Sequence, residues 1–83
     1  MKSEFSNSSS EEIARFYQNI SKKVKLLREQ KKRTQLDLAL DIGIKSVAFY
    51  SNCENNRYDK HFNLEHLYKI AKALEVDICE LLQ

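Results

Sequence analysis

The chain has no proline and a single glycine, Gly43, among its 83 residues. That scarcity excludes a β-sandwich or another turn-rich fold and points to helices joined by short connections. No apolar run approaches the length of a signal sequence or a membrane span, so a cytoplasmic protein without a membrane partner is the expectation. Cysteine is scarce too: Cys53 and Cys79 lie far apart with no CxxC spacing. They read as free thiols at partly buried helix positions. A redox switch, or a metal site drawing on His61 and His66, is the alternative, but no pair of ligands sits at a zinc interval. The histidines read better as surface or helix-cap residues, and no cofactor is expected. A glycine-rich phosphate loop and a nucleophile–base signature are also missing, so the chain does not read as an enzyme. A hydrolase built from Cys53 and His61 would need a geometry that nothing in the spacing supports.

Net charge is only +2, which does not by itself announce nucleic acid. Distribution says more. Lys22, Lys23, Lys25, Arg28, Lys31, Lys32 and Arg33 are opposed locally by Glu29 alone, whereas the last twenty residues lean acidic. Alone, such a run is a solvated helix face; beside a DNA-binding element it becomes a phosphate-facing surface.

A chain this short makes one small domain that buries roughly 60% of its unfolded surface, so its stability is modest and a partner subunit can matter. Residues 1–9 are polar and aperiodic and read as a flexible tail, leaving 10–83 as the domain. Ser9 or Ser10 can cap a helix with Glu11 and Glu12 in its first turn. Ile13, Phe16, Tyr17, Ile20, Val24 and Leu27 then step by three and four to about Lys31. This stripe is one long helix, or a short helix breaking near Asn19 before another. Phe16 and Tyr17 are expected in the core. Asn55 to Phe62 is a polar loop, Asn63 caps a helix carrying Leu64, Leu67, Ile70, Ala71 and Leu74, and Asp77 caps a last short helix with Ile78, Leu81 and Leu82.

Between these lies the segment Thr34–Glu54. Thr34 is a good N-cap, with Asp37 three residues on completing a capping-box-like start. Leu38, Ala39 and Ile42 share one face of a helix over about 35–42, and Gly43 supplies the left-handed residue that ends it. A third helix follows over about 46–55. Helix, glycine turn, helix is the outline of a helix-turn-helix, whose second helix can enter a DNA major groove.

From Ile20 to Leu82 the chain resembles the XRE-type (Cro and phage-repressor-like) helix-turn-helix proteins. The residues that carry the likeness are Arg28, Gln35, Leu38-Ala39, Gly43, Glu54, and Ala71 to Leu74 with Val76, Leu81 and Leu82. The resemblance implies an all-α, compact, lambda-repressor-like domain of five helices, or six if the first stripe breaks. Two departures stand out. One residue more than the family usually has separates Gly43 from Glu54, and the loop before Asn63 is longer, with Phe62 where proline is common. Anchored on Glu54, the third helix turns Tyr50 and Cys53 inward and Ser46, Val47, Ala48, Ser51 and Asn52 toward the groove.

Their chemistry suits that role. Asparagine pairs bidentately with adenine, so Asn52 is the leading base reader; Ser46 and Ser51 can bond a base edge or a phosphate. Lys45 can reach guanine or a phosphate, and Ala48, with Val47, can pack on a thymine methyl. Ordinary helix surface or capping is the competing reading for the serines and asparagines. The resemblance makes Gln35 a phosphate contact, with Lys32 and Arg33 adding charge beside it. Asn55, Asn56 and Arg57 are a second phosphate-contact candidate, although Asn55 and Asn56 suit a helix C-cap and turn equally well. Arg28 and Glu54 correspond to a partly buried structural ion pair.

The expected function is a sequence-specific, double-stranded-DNA-binding transcriptional regulator, a repressor or autoregulator, acting as a homodimer on a near-palindrome. The C-terminal helices with Leu81 and Leu82 are the family-like dimer surface; the N-terminal segment with Phe16 and Tyr17 is the rival. Antitoxins, restriction–modification controllers and phage-type repressors share the fold, and the short chain favours a stand-alone module. A protein-interaction module, such as an antitoxin whose main role is binding a partner protein, is the alternative from another class.

Overall fold

The computed structural model describes residues 9–83. The flexible tail expected over residues 1–9 therefore lies, Ser9 excepted, outside the described residues. Four α-helices are formed: α1 (Ser10–Gln30), α2 (Gln35–Asp41), α3 (Val47–Asn55) and α4 (Leu64–Leu74), with 3₁₀ turns at Arg57–Asp59 and Ile78–Leu81. No strand occurs among the described residues. No described helix is long and apolar enough to cross a membrane.

Each helix begins where its own residues can satisfy the free amides of its first turn. Ser9, Thr34, Ser46 and Asn63 accept at Oγ, Oγ1, Oγ and Oδ1 from the amides of Glu12, Asp37, Phe49 and His66, at 3.0, 3.0, 3.1 and 2.7 Å. Helix ends are equally local. Gly43 takes φ +82°, its amide donates to the Leu40 carbonyl at 3.1 Å, and the Ile44 amide donates to that of Ala39 at 2.8 Å. This is a Schellman ending. Lys32, at φ 59°, ends α1 the same way, with the Arg33 amide on the Arg28 carbonyl at 3.0 Å.

Val24 and Leu27 of α1 meet Leu38, Ala39 and Ile42 of α2, Tyr50 and Cys53 of α3, and Leu67, Ile70, Ala71 and Leu74 of α4 in one core. Each large side chain so removed from water contributes about 1.5–3 kcal/mol. α1 and α2 both pack on α3, which fixes the direction of its outer face.

Several expectations need correction. The apolar stripe, left open between one helix and two, is one 21-residue helix, unbroken at Asn19, since nothing in it interrupts the hydrogen-bond ladder. The five- or six-helix count becomes four helices, because residues 78–81 close as a single 3₁₀ turn capped by Asp77, whose carboxylate accepts from the Cys79 amide at 2.8 Å. Leu81 is wholly buried in the core and so is withdrawn from the candidate dimer surface, leaving Leu82 half-exposed. Phe16 is not core: it is 52% exposed, because the first half of α1 runs past the body of the domain. Tyr17 instead stacks on His61, with ring centroids 3.7 Å apart. Phe62, in the segment read as a polar loop, is buried against Tyr50.

Candidate nucleic-acid interface

A buried polar knot sets α3 in place. Glu54 receives four hydrogen bonds: Arg28 Nε to Oε2 at 3.0 Å, Arg28 Nη2 to Oε1 at 3.1 Å, Gln35 Nε2 to Oε1 at 2.9 Å and the Tyr50 hydroxyl to Oε2 at 2.8 Å. Arg28 Nη1 also donates to the Arg33 carbonyl at 2.7 Å, closing the turn between α1 and α2. The structural ion pair expected from Arg28 and Glu54 is present, and it binds α1, α2 and the end of α3 together. Burial pushes the Glu54 carboxyl up, but the donors from Arg28, Gln35 and Tyr50 outweigh it and hold the group below its ordinary range. The hydrogen bond to Glu54 raises Arg28, and burial raises Tyr50.

A pH dependence follows. A carboxylate whose folded pKa is depressed adds stability in full above its unfolded value, about 4.3, and loses it as pH falls toward the folded value. The urea midpoint is therefore expected to drop below about pH 4.3, and Glu54→Gln to show a shallower acid slope. Equal slopes in urea titrations between pH 3 and 7 would contradict this.

A second lock sits at the same C-terminal end of α3. Ser21, buried on α1, donates to the Cys53 carbonyl at 3.0 Å. The Asn56 amide donates to Ser21 Oγ at 3.1 Å, to the Cys53 carbonyl at 3.3 Å and to the Lys60 carbonyl at 3.2 Å. Asn56 holds a left-handed φ of 56°, a conformation that asparagine tolerates better than most residues.

With Tyr50, Cys53 and Glu54 turned inward, the outer side of α3 carries exposed Val47 and Ala48 and half-buried Ser51 and Asn52, preceded by exposed Lys45 and Ser46. These six residues are brought together on one face. Asn55 and Arg57 adjoin it: the Asn55 amide donates to the Ser51 carbonyl at 2.9 Å, and Arg57 Nη1 reaches Asn52 Oδ1 at 3.4 Å. Lys32 is exposed at the end of α1. Ser46 also serves as the N-cap of α3, so the capping reading weighed for it holds.

Three expected phosphate contacts are spent elsewhere. The Gln35 amide is held by Glu54, because the first residue of α2 faces the knot. Arg33 forms ion pairs with Asp37 and Asp41 and donates to the Ala73 carbonyl at 3.3 Å, so its charge is locally offset. The four-residue step from Arg33 to Asp37 was a readable signal for that pair. Asn56 is the loop clamp just described. Sequence reading also missed the Tyr50 hydroxyl as a Glu54 donor; only its four-residue spacing hinted at it.

The remaining polar groups serve the fold. His66 completes a capping box, its Nδ1 accepting from the Asn63 amide at 3.2 Å, and burial lowers its pKa. Cys53 is a buried free thiol raised by burial; Cys79 is exposed and raised by its hydrogen bond with Asp77. No group of three or more potential metal ligands occurs among the described residues.

A family model described as helix-turn-helix matches residues 24–81, more than two thirds of the chain. No curated protein and no solved structure matches. The matched span holds α2, the Gly43 turn, α3, the Arg28–Glu54 pair and α4 in one stretch, and the chain belongs to the XRE-type helix-turn-helix family of DNA-binding regulators.

Proposed function

We propose that the protein represses or autoregulates transcription as a dimer on a near-palindromic operator, each copy laying α3 into a major groove. The observation that carries this reading is the division of α3 into two sides. Tyr50, Cys53 and Glu54 anchor it, while Lys45, Ser46, Val47, Ala48, Ser51 and Asn52 form a free face of short side chains. Such a face admits close approach to base edges. Asn52 is the adenine reader, Val47 and Ala48 contact thymine methyls, and Lys45, Ser46 and Ser51 bond base edges or phosphates. Asn55, Arg57 and Lys32 serve the flanking phosphates. Gln35, Arg33 and Asn56 are left out, because their donors are taken by the buried Glu54 carboxylate, by Asp37 and Asp41, and by the Ser21, Cys53 and Lys60 oxygens. The bonds of Asn55 and Arg57, by contrast, are exposed and stay on the outer face itself.

Selection of sites from random duplexes, followed by titration at several salt concentrations, tests the proposal. A two-fold motif and an affinity falling steeply with salt are expected. Asn52→Ala should relax preference at one base position of each half-site and cost about 1–3 kcal/mol there, whereas Lys32→Ala should weaken all sequences alike and reduce the salt slope by about 1 for each copy of the dimer. Enrichment of no motif at low salt would favour the protein-interaction reading. One observation speaks for that reading: α3 itself contains no lysine or arginine, and Val47 and Phe49 stand exposed on it.

A further inference from the structure

We propose that the outer face of α1 is the surface on which a second copy of this chain docks, as an antiparallel helix pair across a two-fold axis. This rests on the dimeric reading above and names its interface. Glu12, Phe16, Asn19, Lys23 and Leu26 follow one another along α1 at steps of four, three, four and three. That repeat is the seam spacing of paired helices. The row is distinct from Ile20, Val24 and Leu27, which enter the core of their own domain. Its two large apolar members are uncovered, Phe16 at 52% and Leu26 at 49% exposed, with Ile13 beside them at 47%.

Charge selects the occupant and its direction. The row has an acidic residue near its start and a lysine eleven residues on, about 16 Å along the helix. An antiparallel register that sets Phe16 beside Asn19 of the second copy also sets Glu12 beside Lys23 of that copy, and the reverse by symmetry. A parallel pair would instead oppose Glu12 to Glu12 and Lys23 to Lys23. From Glu12 to Lys23 the face is thus complementary to itself, as a two-fold contact requires, with Leu26 beside Ser9 of the second copy at each end. The row shares no residue with the outer side of α3.

Sedimentation equilibrium over a wide concentration range tests this, with circular dichroism as the check on folding. The wild type is expected to dimerise. Glu12→Lys, Lys23→Glu and Phe16→Glu should each weaken the dimer about tenfold or more, since the first two set like charges together and the third replaces an apolar seam residue by a charge in both copies. The two charge variants, mixed, should recover a 1:1 dimer, because each then meets its opposite at both ends of the seam. Phe16→Glu changes an already exposed side chain and keeps the test open if Lys23→Glu fails to fold. A wild type that stays monomeric, a dimer indifferent to these changes, or no recovery on mixing would overturn the proposal. Site selection with Phe16→Glu separates the two readings: a half-site motif without the two-fold repeat supports both. A two-fold motif that survives overturns the α1 surface and leaves DNA reading by α3 intact. If the wild type itself enriches no motif, DNA reading fails, and sedimentation alone decides the surface.

Discussion

Replacing Glu54 by alanine is expected to lower the melting temperature by roughly 12–40 °C, from a loss of about 3–5 kcal/mol at about 4–8 °C per kcal/mol. The carboxylate is 4% exposed and gathers four donors from three side chains. Its removal leaves the Arg28 guanidinium buried with only the exposed Glu29 carboxylate, 3.9 Å away, as a counter-ion, and the Gln35 amide and Tyr50 hydroxyl without their acceptor. Water cannot replace these partners at full value in so confined a site. Glu54→Gln preserves volume, yet it should also be costly, by about 2 kcal/mol or more, because its amide nitrogen would face donors. Converting the pair together, Arg28→Met with Glu54→Leu, should cost less than Glu54→Ala alone, since no unpaired buried charge remains. Thermal unfolding followed by circular dichroism measures all three. A melting temperature unchanged in Glu54→Ala would mean that the knot does not hold α3.

Ala48→Glu should leave the fold intact and reduce DNA affinity about 100-fold or more, the order set by several kcal/mol of like-charge repulsion. Ala48 is exposed in the first turn of α3, capped by Ser46. A carboxylate there favours the helix by about 0.3–1 kcal/mol through the helix dipole. The same charge would lie where a phosphate-lined groove has to come. Stability and binding are thus driven in opposite directions, which separates this substitution from any that merely unfolds the domain. Melting curves and duplex titration at fixed salt give the two readings. A variant that keeps both its stability and its affinity would remove the outer side of α3 from the DNA interface.

Element positions were legible where a residue bonds within a few positions of itself. Thr34, Ser46, Asn63 and Asp77 cap the segments they precede, and the lone glycine takes the left-handed turn. The inward set Tyr50, Cys53 and Glu54 was readable as well, because helical spacing ties all three to one side once Glu54 is the anchor. The candidate site was legible as a face and less so as a set of side chains. Gln35, Arg33 and Asn56 each carry donors that serve a phosphate or a buried acceptor equally well. For Gln35 and Asn56 those acceptors, Glu54 and Ser21, lie 19 and 35 positions away. No local pattern records such a choice.

By itself, then, the sequence determined the four α-helices, most of their caps, the turn at Gly43 and the family, all consequences of hydrogen bonds and apolar spacing that operate over a turn or two of helix. Only the tertiary structure decided which polar groups remain free and which apolar ones remain uncovered. Gln35 is held by Glu54, Leu81 is sealed in the core, and Phe16 is left outside it. The reason is physical: a donor's partner and a side chain's burial depend on where the other helices end, and the core of so small a domain stops before α1 does.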